Sequence, residues 1–344
     1  MKKNFFPLNK LISIPIGIIV CVVTVCAFSK NPGEPLAMLF TGTFTNKYYF
    51  GTMLNSAAFL MIAGLGSSVA LKCGNMNLGG EGQIYLGGFI AGLILSSDLK
   101  MPSAIVFLFA ILCVMISGAL MASVSALLKE TKGAEVLLTT FLVSSAVLPL
   151  IDGAITASKG GSGQNLLALP YIKEEFRFAR IMQPSPLTMT FFAALIFCAA
   201  AYFIFTKTFL GRRMKLWGTA PLFASYSGLS SKKASYISLS VSGALHSLTG
   251  MFAVCGTYFT CHNGFYSGMG WNALSAALIA SSNPLALIPT SIFLSWLYTS
   301  AGRVSLTQGF GFDISGIIQG AILFSVALNF AAGKKNGLKS GRTK

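Results

Sequence analysis

Acidic residues are scarce in this chain: 9 Asp and Glu stand against 25 Lys and Arg among 344 residues, and charged residues together make up only 10%. A soluble domain carries roughly 25% charged residues, so a water-soluble globule is excluded. No polar stretch exceeds about 30 residues, below the roughly 40 that an independent fold needs, so no soluble domain can be cut from the chain. A G-x-x-x-x-G-K-[ST] loop for nucleotide phosphates is absent, and any ATP hydrolysis must come from another polypeptide. The 7 cysteines lie mostly in apolar segments without a C-x-x-C pair, and the 2 histidines, His246 and His262, are isolated. Neither set makes a metal site, and with no nucleophile–base set or carboxylate pair the chain is read as no enzyme and as needing no cofactor.

What the chain does have is apolar length. Hydrophobic residues make up 54%, and runs of about 20 of them are what a hydrocarbon core of roughly 30 Å asks of a helix. About ten such runs occur, near 11–28, 50–71, 84–97, 103–128, 134–155, 186–206, 234–256, 271–282, 285–301 and 315–332. The expected fold is an all-α polytopic membrane protein, one transmembrane domain over residues 1–344. The runs 84–97 and 271–282 are short and glycine-bounded, which predicts broken or re-entrant helices shielded from lipid by protein.

The net charge of +16 would suit a nucleic acid, but its placement argues otherwise. With ten spans and cytoplasmic N- and C-termini, 17 of the 25 basic residues fall inside, among them Lys72, Lys129, Arg213 and Lys233. That is the positive-inside pattern, so basicity is read as orientation and nucleic acid is set aside as a partner. Two loops stand out: an external one, 156–185, punctuated by Gly and Pro, and a cytoplasmic one, 207–233, whose weakly amphipathic middle could form a short helix along the membrane surface.

Within "NMNLGGEGQIYLGG", residues 75–88, one carboxylate, Glu81, stands among glycines. An ion at mid-membrane costs several kcal/mol unless paired, hydrated or protonated, so Glu81 marks a helix terminus or a polar interior. Three roles stay open: holding a re-entry turn through free helix N–H groups, touching solute or a gate, and coupling to protons. Asn55, Asn77, Gln83, Asn272 and Asn283 could present amides to a polar solute or serve as glue between helices. Trp271, Phe265 and Tyr266 could stack on a planar ring or act as interfacial anchors. Arg303 and Asp313 are expected to pair at the external rim of the last hairpin.

That first block, followed by "GRRMKLWGTAPLFASYSGLSSKK" at 211–233 and "GMGWNALSAALIASSNPLALI" at 268–288, resembles in order and spacing three blocks of the ABC-importer permeases of the branched-chain amino acid and simple-sugar superfamily. The likeness is to the nucleoside-type branch, which has Asn-Ile-Gly-x-Glu-Gly-Gln where this chain has Met76 to Gln83. Departures occur at Lys215 to Ala220, where the family reads Arg-Ala-x-Gly-x-Asn, and at Ala280 and Ser282, where it has Gly and Asn.

The resemblance implies an importer permease fold with a broken helix near the pathway, in a bacterial inner membrane. It implies cytoplasmic ABC ATPase subunits, a second permease subunit in a homo- or heterodimer, an extracytoplasmic solute-binding protein or lipoprotein, and surrounding membrane lipid. The implied solute is a nucleoside or related small polar molecule, with riboflavin or a simple sugar as runner-up. A proton-coupled secondary transporter is the alternative of another class. Asn55, Asn77, Glu81, Gln83, Asn272 and Asn283 are then the pathway candidates. Gly218, Thr219, Ala220, Pro221, Ala224 and Gly228 are the ATPase-coupling candidates, with Leu222 and Phe223 as apolar anchors.

Overall fold

The computed structural model describes residues 13–158, 167–310 and 314–325. Every predicted run that falls there is helical: α1 (Ser13–Phe28), α3 (Lys47–Lys72), α4 (Gly80–Ser96), α5 (Ser103–Lys132), α6 (Val136–Ala157), α7 (Thr190–Lys207), α10 (Ser231–Ala253), α11 (Met269–Ile279), α12 (Pro284–Gln308) and α13 (Ile314–Ser325). Six of them, α3, α5, α6, α7, α10 extended to Tyr258, and α12, are long and apolar enough to cross a membrane; α1, α4, α11 and α13 are shorter over the described residues. The terminal lysines and arginines and Asp313 lie outside the described residues.

Two features go beyond the sequence reading: α2 (Gly33–Thr45) is too short to register as a span, and the 207–233 loop, read as able to form one short helix, folds into two, α8 (Phe209–Thr219) and α9 (Pro221–Tyr226). Their boundaries follow local chemistry. Asn46 accepts the Tyr48 N–H at the start of α3, and Thr208 accepts the Gly211 N–H at the start of α8. α9 begins on Pro221, whose missing N–H costs nothing at that position. Gly133 and Gly309 end α5 and α12 in left-handed backbone, which a residue with a Cβ resists.

Burial sorts the long helices into layers. The most apolar stretches of α3 and α10 are 83% and 78% buried, against 28% for α5 and α6 and 22% for α7, so α3 and α10 form the centre and the others present an apolar face outward. The central helices approach closely because the contact residues are small. A Cβ on Gly250 would overlap the Ile84 carbonyl oxygen, and one on Gly118 would overlap Ser247 and the Gly243 carbonyl. Small residues at such crossings drive helix association where lipid offers no hydrophobic gain.

From residue 167 on, the 156–185 loop is a folded cap rather than a loose connection. Ile172 and Phe178 donate backbone N–H bonds to the carbonyls of Phe259 and Cys255, and Lys173 donates to Leu95, which pins the loop across the ends of α10 and α4. Ile172 is fully buried beneath it. Described cysteines are unpaired, and Cys21, Cys198, Cys255 and Cys261 are wholly buried, consistent with packing.

Candidate functional site

The two short helices meet N-terminus to N-terminus inside the bundle. Gly80 and Gly270 touch: a Cβ on Gly80 would lie 3.0 Å from the Gly270 Cα, so only glycine lets the backbones come this close. Each start exposes N–H groups without partners in its own helix. Those of α11 are served by Glu81, whose Oε1 accepts the Trp271 N–H at 3.1 Å. Glu81 is 6% exposed and sits in the first turn of α4, so one carboxylate faces the positive ends of two helices at once. A carboxylate at a helix N-terminus gains roughly 0.3–1 kcal/mol, and up to about 2 where partly buried.

α4 is served from a different side. Thr140 and Ser144, one turn apart on α6, accept the N–H groups of Leu78 at 3.0 Å and Gly82 at 2.8 Å. Asn77 Oδ1 accepts from the Gly79 N–H at 2.9 Å. Composition hides these hydroxyls, because Thr and Ser in an apolar helix read as neutral; their four-residue spacing was the signal available.

The remaining amides divide into two groups. Asn77 Nδ2 donates to Gln83 Oε1 at 3.0 Å and to Ser242 at 2.9 Å, and Gln83 Oε1 also meets His246 Nδ1 at 2.8 Å. His246 Nε2 lies 3.2 Å from the Ser67 hydroxyl. This buried chain joins α3, α4 and α10, with the Asn77 and Gln83 amides engaged. Asn283 likewise has a local duty, accepting the Leu285 N–H at the start of α12.

The second group keeps buried acceptors without partners: Glu81 Oε2, Asn272 Oδ1 and Asn55 Oδ1. Glu81 lies in the first turn of α4 and Asn272 in the first turn of α11, the two helix starts that meet at the joint. Asn55 is further along α3, where its Nδ2 donates to Thr257 at 2.8 Å. Next to the joint, the half-buried Trp271 ring lies 6.2 Å from Phe141, which is 40% exposed. Phe265, by contrast, is 1% exposed and packs edge-on to Tyr85, which places it in the core. Tyr266 is 4.9 Å from the same tyrosine.

In the 207–233 segment the coupling candidates also separate. A Cβ on Gly218 would overlap the Lys72 carbonyl oxygen, and Ala224 is fully buried, so these two seat α8 and α9 on the bundle. Leu222, Phe223 and Tyr226 on α9 are 76%, 62% and 89% exposed. Thr219 and Pro221 are exposed and Ala220 is half-buried, while Gly228 makes a left-handed turn in open space. At the opposite end Arg303 donates to the Gly42 carbonyl and lies 4.4 Å over the Tyr49 ring. No group of three potential metal ligands occurs among the described residues.

A multi-pass helical protein with half-helices meeting at a buried carboxylate belongs to the transporter class, in which irregular backbone lines a protected interior. The chain belongs to the family described as the branched-chain amino acid transport system permease component, whose model matches residues 49–327. It is thus an ABC transporter permease, a kind of subunit that associates with an ATPase and a solute-binding protein. It is similar to a probable riboflavin import permease of Treponema pallidum, 30% identical over 94% of this chain and 86% of that one. It is also similar to a nucleoside ABC transporter permease of Lactococcus lactis, 24% identical over 93% and 90% of the two chains, and to a guanosine ABC transporter permease of Bacillus subtilis, 22% identical over 96% of both. Among solved structures, PsaBC from Streptococcus pneumoniae in complex with Fab aligns over 86% of this chain and 95% of that one, at 17% identity and a TM-score of 0.45.

Proposed function

We propose that this chain is the membrane subunit of an ATP-driven importer for a planar nitrogen heterocycle carrying hydroxyl groups, the chemistry that nucleosides and riboflavin share. It crosses a bacterial plasma membrane with about ten full or half spans, keeps both termini in the cytoplasm, and pairs with a second permease subunit. The observation that carries the solute class is the helix joint. Glu81 Oε2 and Asn272 Oδ1 offer acceptors to N–H and O–H donors, and at the same joint the Trp271 ring, tilted 54° to Phe141, offers an aromatic face on which a planar ring can stack.

Coupling falls to α9. Its exposed Leu222, Phe223 and Tyr226 are the groups available to a groove on the ATPase, while Gly218 and Ala224 hold that helix in place. The test is uptake by proteoliposomes containing the permease subunits, the ATPase and the binding protein. Riboflavin or a nucleoside should accumulate only when ATP is supplied on the ATPase side. Accumulation driven by a pH gradient without ATP would replace this reading with a secondary carrier, and displacement of either solute by glucose would replace the solute class with a simple sugar.

A further inference from the structure

We infer that the recess between α8, the start of α10 and Cys73 at the end of α3 binds one anionic phospholipid of the cytoplasmic leaflet. The recess has a volume of about 430 Å³ and is lined by both cationic and large apolar side chains, within the range of about 300–1,000 Å³ in which specific ligands are held. Phe209, Arg213 and Trp217 recur every fourth residue along α8, so a single face of that helix turns toward it. Lys233 and Ile237, four apart on α10, form the facing wall.

The two sides of this recess ask for opposite ends of one molecule. Arg213 and Lys233 are its cationic residues, and none of its lining residues is acidic, so a negative headgroup is complementary. Phe209, Leu210 and Ile237 are 60%, 48% and 46% exposed, and the apolar stripe continues one turn along α10 at Val241, 41% exposed. A free phosphate would satisfy the charges and leave that stripe bare. A phospholipid satisfies both, with its acyl chain along Ile237 and Val241 and its phosphate between the two cations. Trp217 adds the amphipathic ring characteristic of the headgroup level.

The consequence is mechanical. α8 leads directly into α9, so a lipid bridging α8 and α10 would stiffen the support of the proposed coupling helix. The inference rests on the cytoplasmic orientation proposed above and not on the transported solute, so a wrong solute leaves it standing.

The test uses the full-length chain in nanodiscs containing brominated phosphatidylglycerol or brominated phosphatidylcholine at equal mole fraction. The signal is the part of the tryptophan quenching that Trp217→Phe removes, converted to a relative association constant. Phosphatidylglycerol should be preferred, Arg213→Ala and Lys233→Ala should each reduce that preference about fivefold, and Arg213→Lys should retain most of it. Equal quenching of Trp217 by the two lipids in the wild-type chain would show ordinary annular contact and overturn the inference. So would relief of the phosphatidylglycerol effect by inorganic phosphate, which marks a small-anion site, or by added ATPase subunits, which marks a protein groove.

Discussion

The membrane centre and the aqueous rims use small residues and carboxylates for opposite ends. At the centre, Gly80 against Gly270 and Gly250 against Ile84 bring backbones into contact, and Glu81 is held by another helix's N–H group. At the rim formed by α8 and α9, Gly218 and Ala224 anchor a helix pair whose neighbouring apolar side chains stay exposed. At the opposite rim the carboxylate of Asp98, 97% exposed, meets Lys173. Small residues at the centre fix a geometry, whereas at the α8–α9 rim they leave a surface free for something else. The contrast can be broken by experiments that differ greatly in expected size.

The largest effect belongs to Gly250. A valine there would place its Cβ on the Ile84 carbonyl, a backbone atom that no rotamer change can move. Overpacking typically costs 1–3 kcal/mol and more when backbone must shift, so Gly250→Val should abolish monodisperse protein in detergent. Gly228→Ala is the matched control at the rim. Its Cβ would meet nothing within 4 Å, leaving only the left-handed backbone penalty at φ 76, roughly 1 kcal/mol. Comparable yields of the two variants would show that the centre is not close-packed in the way described.

Glu81 sharpens the same comparison at a second level. Glu81→Leu removes the acceptor of the Trp271 N–H and leaves a buried donor unsatisfied, at a cost of roughly 1–3 kcal/mol. Glu81→Gln keeps a carbonyl oxygen that can accept the same bond. The leucine variant should lower the amount of folded protein in a thermal-aggregation assay, while the glutamine variant should fold and transport. Because Oε2 has no partner inside the protein and is the acceptor proposed to meet solute, the folded glutamine variant should also show an altered apparent affinity for solute, and an unchanged affinity would confine Glu81 to holding the helix joint. Complete loss of accumulation together with its pH dependence would assign it to proton coupling.

The sequence made some of this legible and hid the rest for identifiable reasons. Long apolar runs announce themselves, and α3, α5, α6, α7, α10 and α12 fall where hydropathy puts them. The short helices α4 and α11 were legible as interruptions because glycines bracket them. Their apposition was not, since Gly80 and Gly270 are 190 residues apart and only the fold brings them together. For the same reason, the amide set looked uniform in sequence. Asn77 and Gln83 prove to be bonded through His246 and Ser242, while Asn272 and Glu81 keep an acceptor open. α2 escaped notice because 13 residues cannot span a bilayer, yet it packs beside α12 through Thr43 and Ser300.

A moderate effect is expected on α9. Replacing Leu222 and Phe223 with serine removes exposed apolar surface without touching the buried Ala224, so folding should be unchanged and ATPase binding weakened. Anchors of this kind are worth about 1–2 kcal/mol each, which a titration of solute-stimulated ATP hydrolysis would report as a tenfold or greater rise in the ATPase concentration required. Ala224→Glu should instead lower the yield of folded permease, since the site it would occupy is already filled. Unchanged stimulation in the serine variant would move the docking surface away from α9.

The smallest effect lies at the Asp98–Lys173 rim, and it tests whether exposure alone separates the two carboxylates. The Lys173 ammonium, 2.8 Å from Asp98, donates to that carboxylate and holds its pKa below the usual aspartate range. Because the folded-state pKa is the lowered one, the pair's stabilisation is present above the ordinary aspartate value and is lost as pH falls through the depressed one. Water and salt both reach this pair, and exposed ion pairs contribute little. Asp98→Asn should therefore leave the thermal midpoint of the detergent-purified chain nearly unchanged at neutral pH. Any difference should vanish below the carboxylate range, and also at about 1 M salt, where screening acts within roughly 3 Å. Glu81→Leu should keep its full effect at high salt, because the bond it deletes is shielded inside the bundle. If high salt rescued the Glu81 variant to the same degree as the Asp98 variant, the helix joint would have to be open to water and ions in the detergent-purified chain.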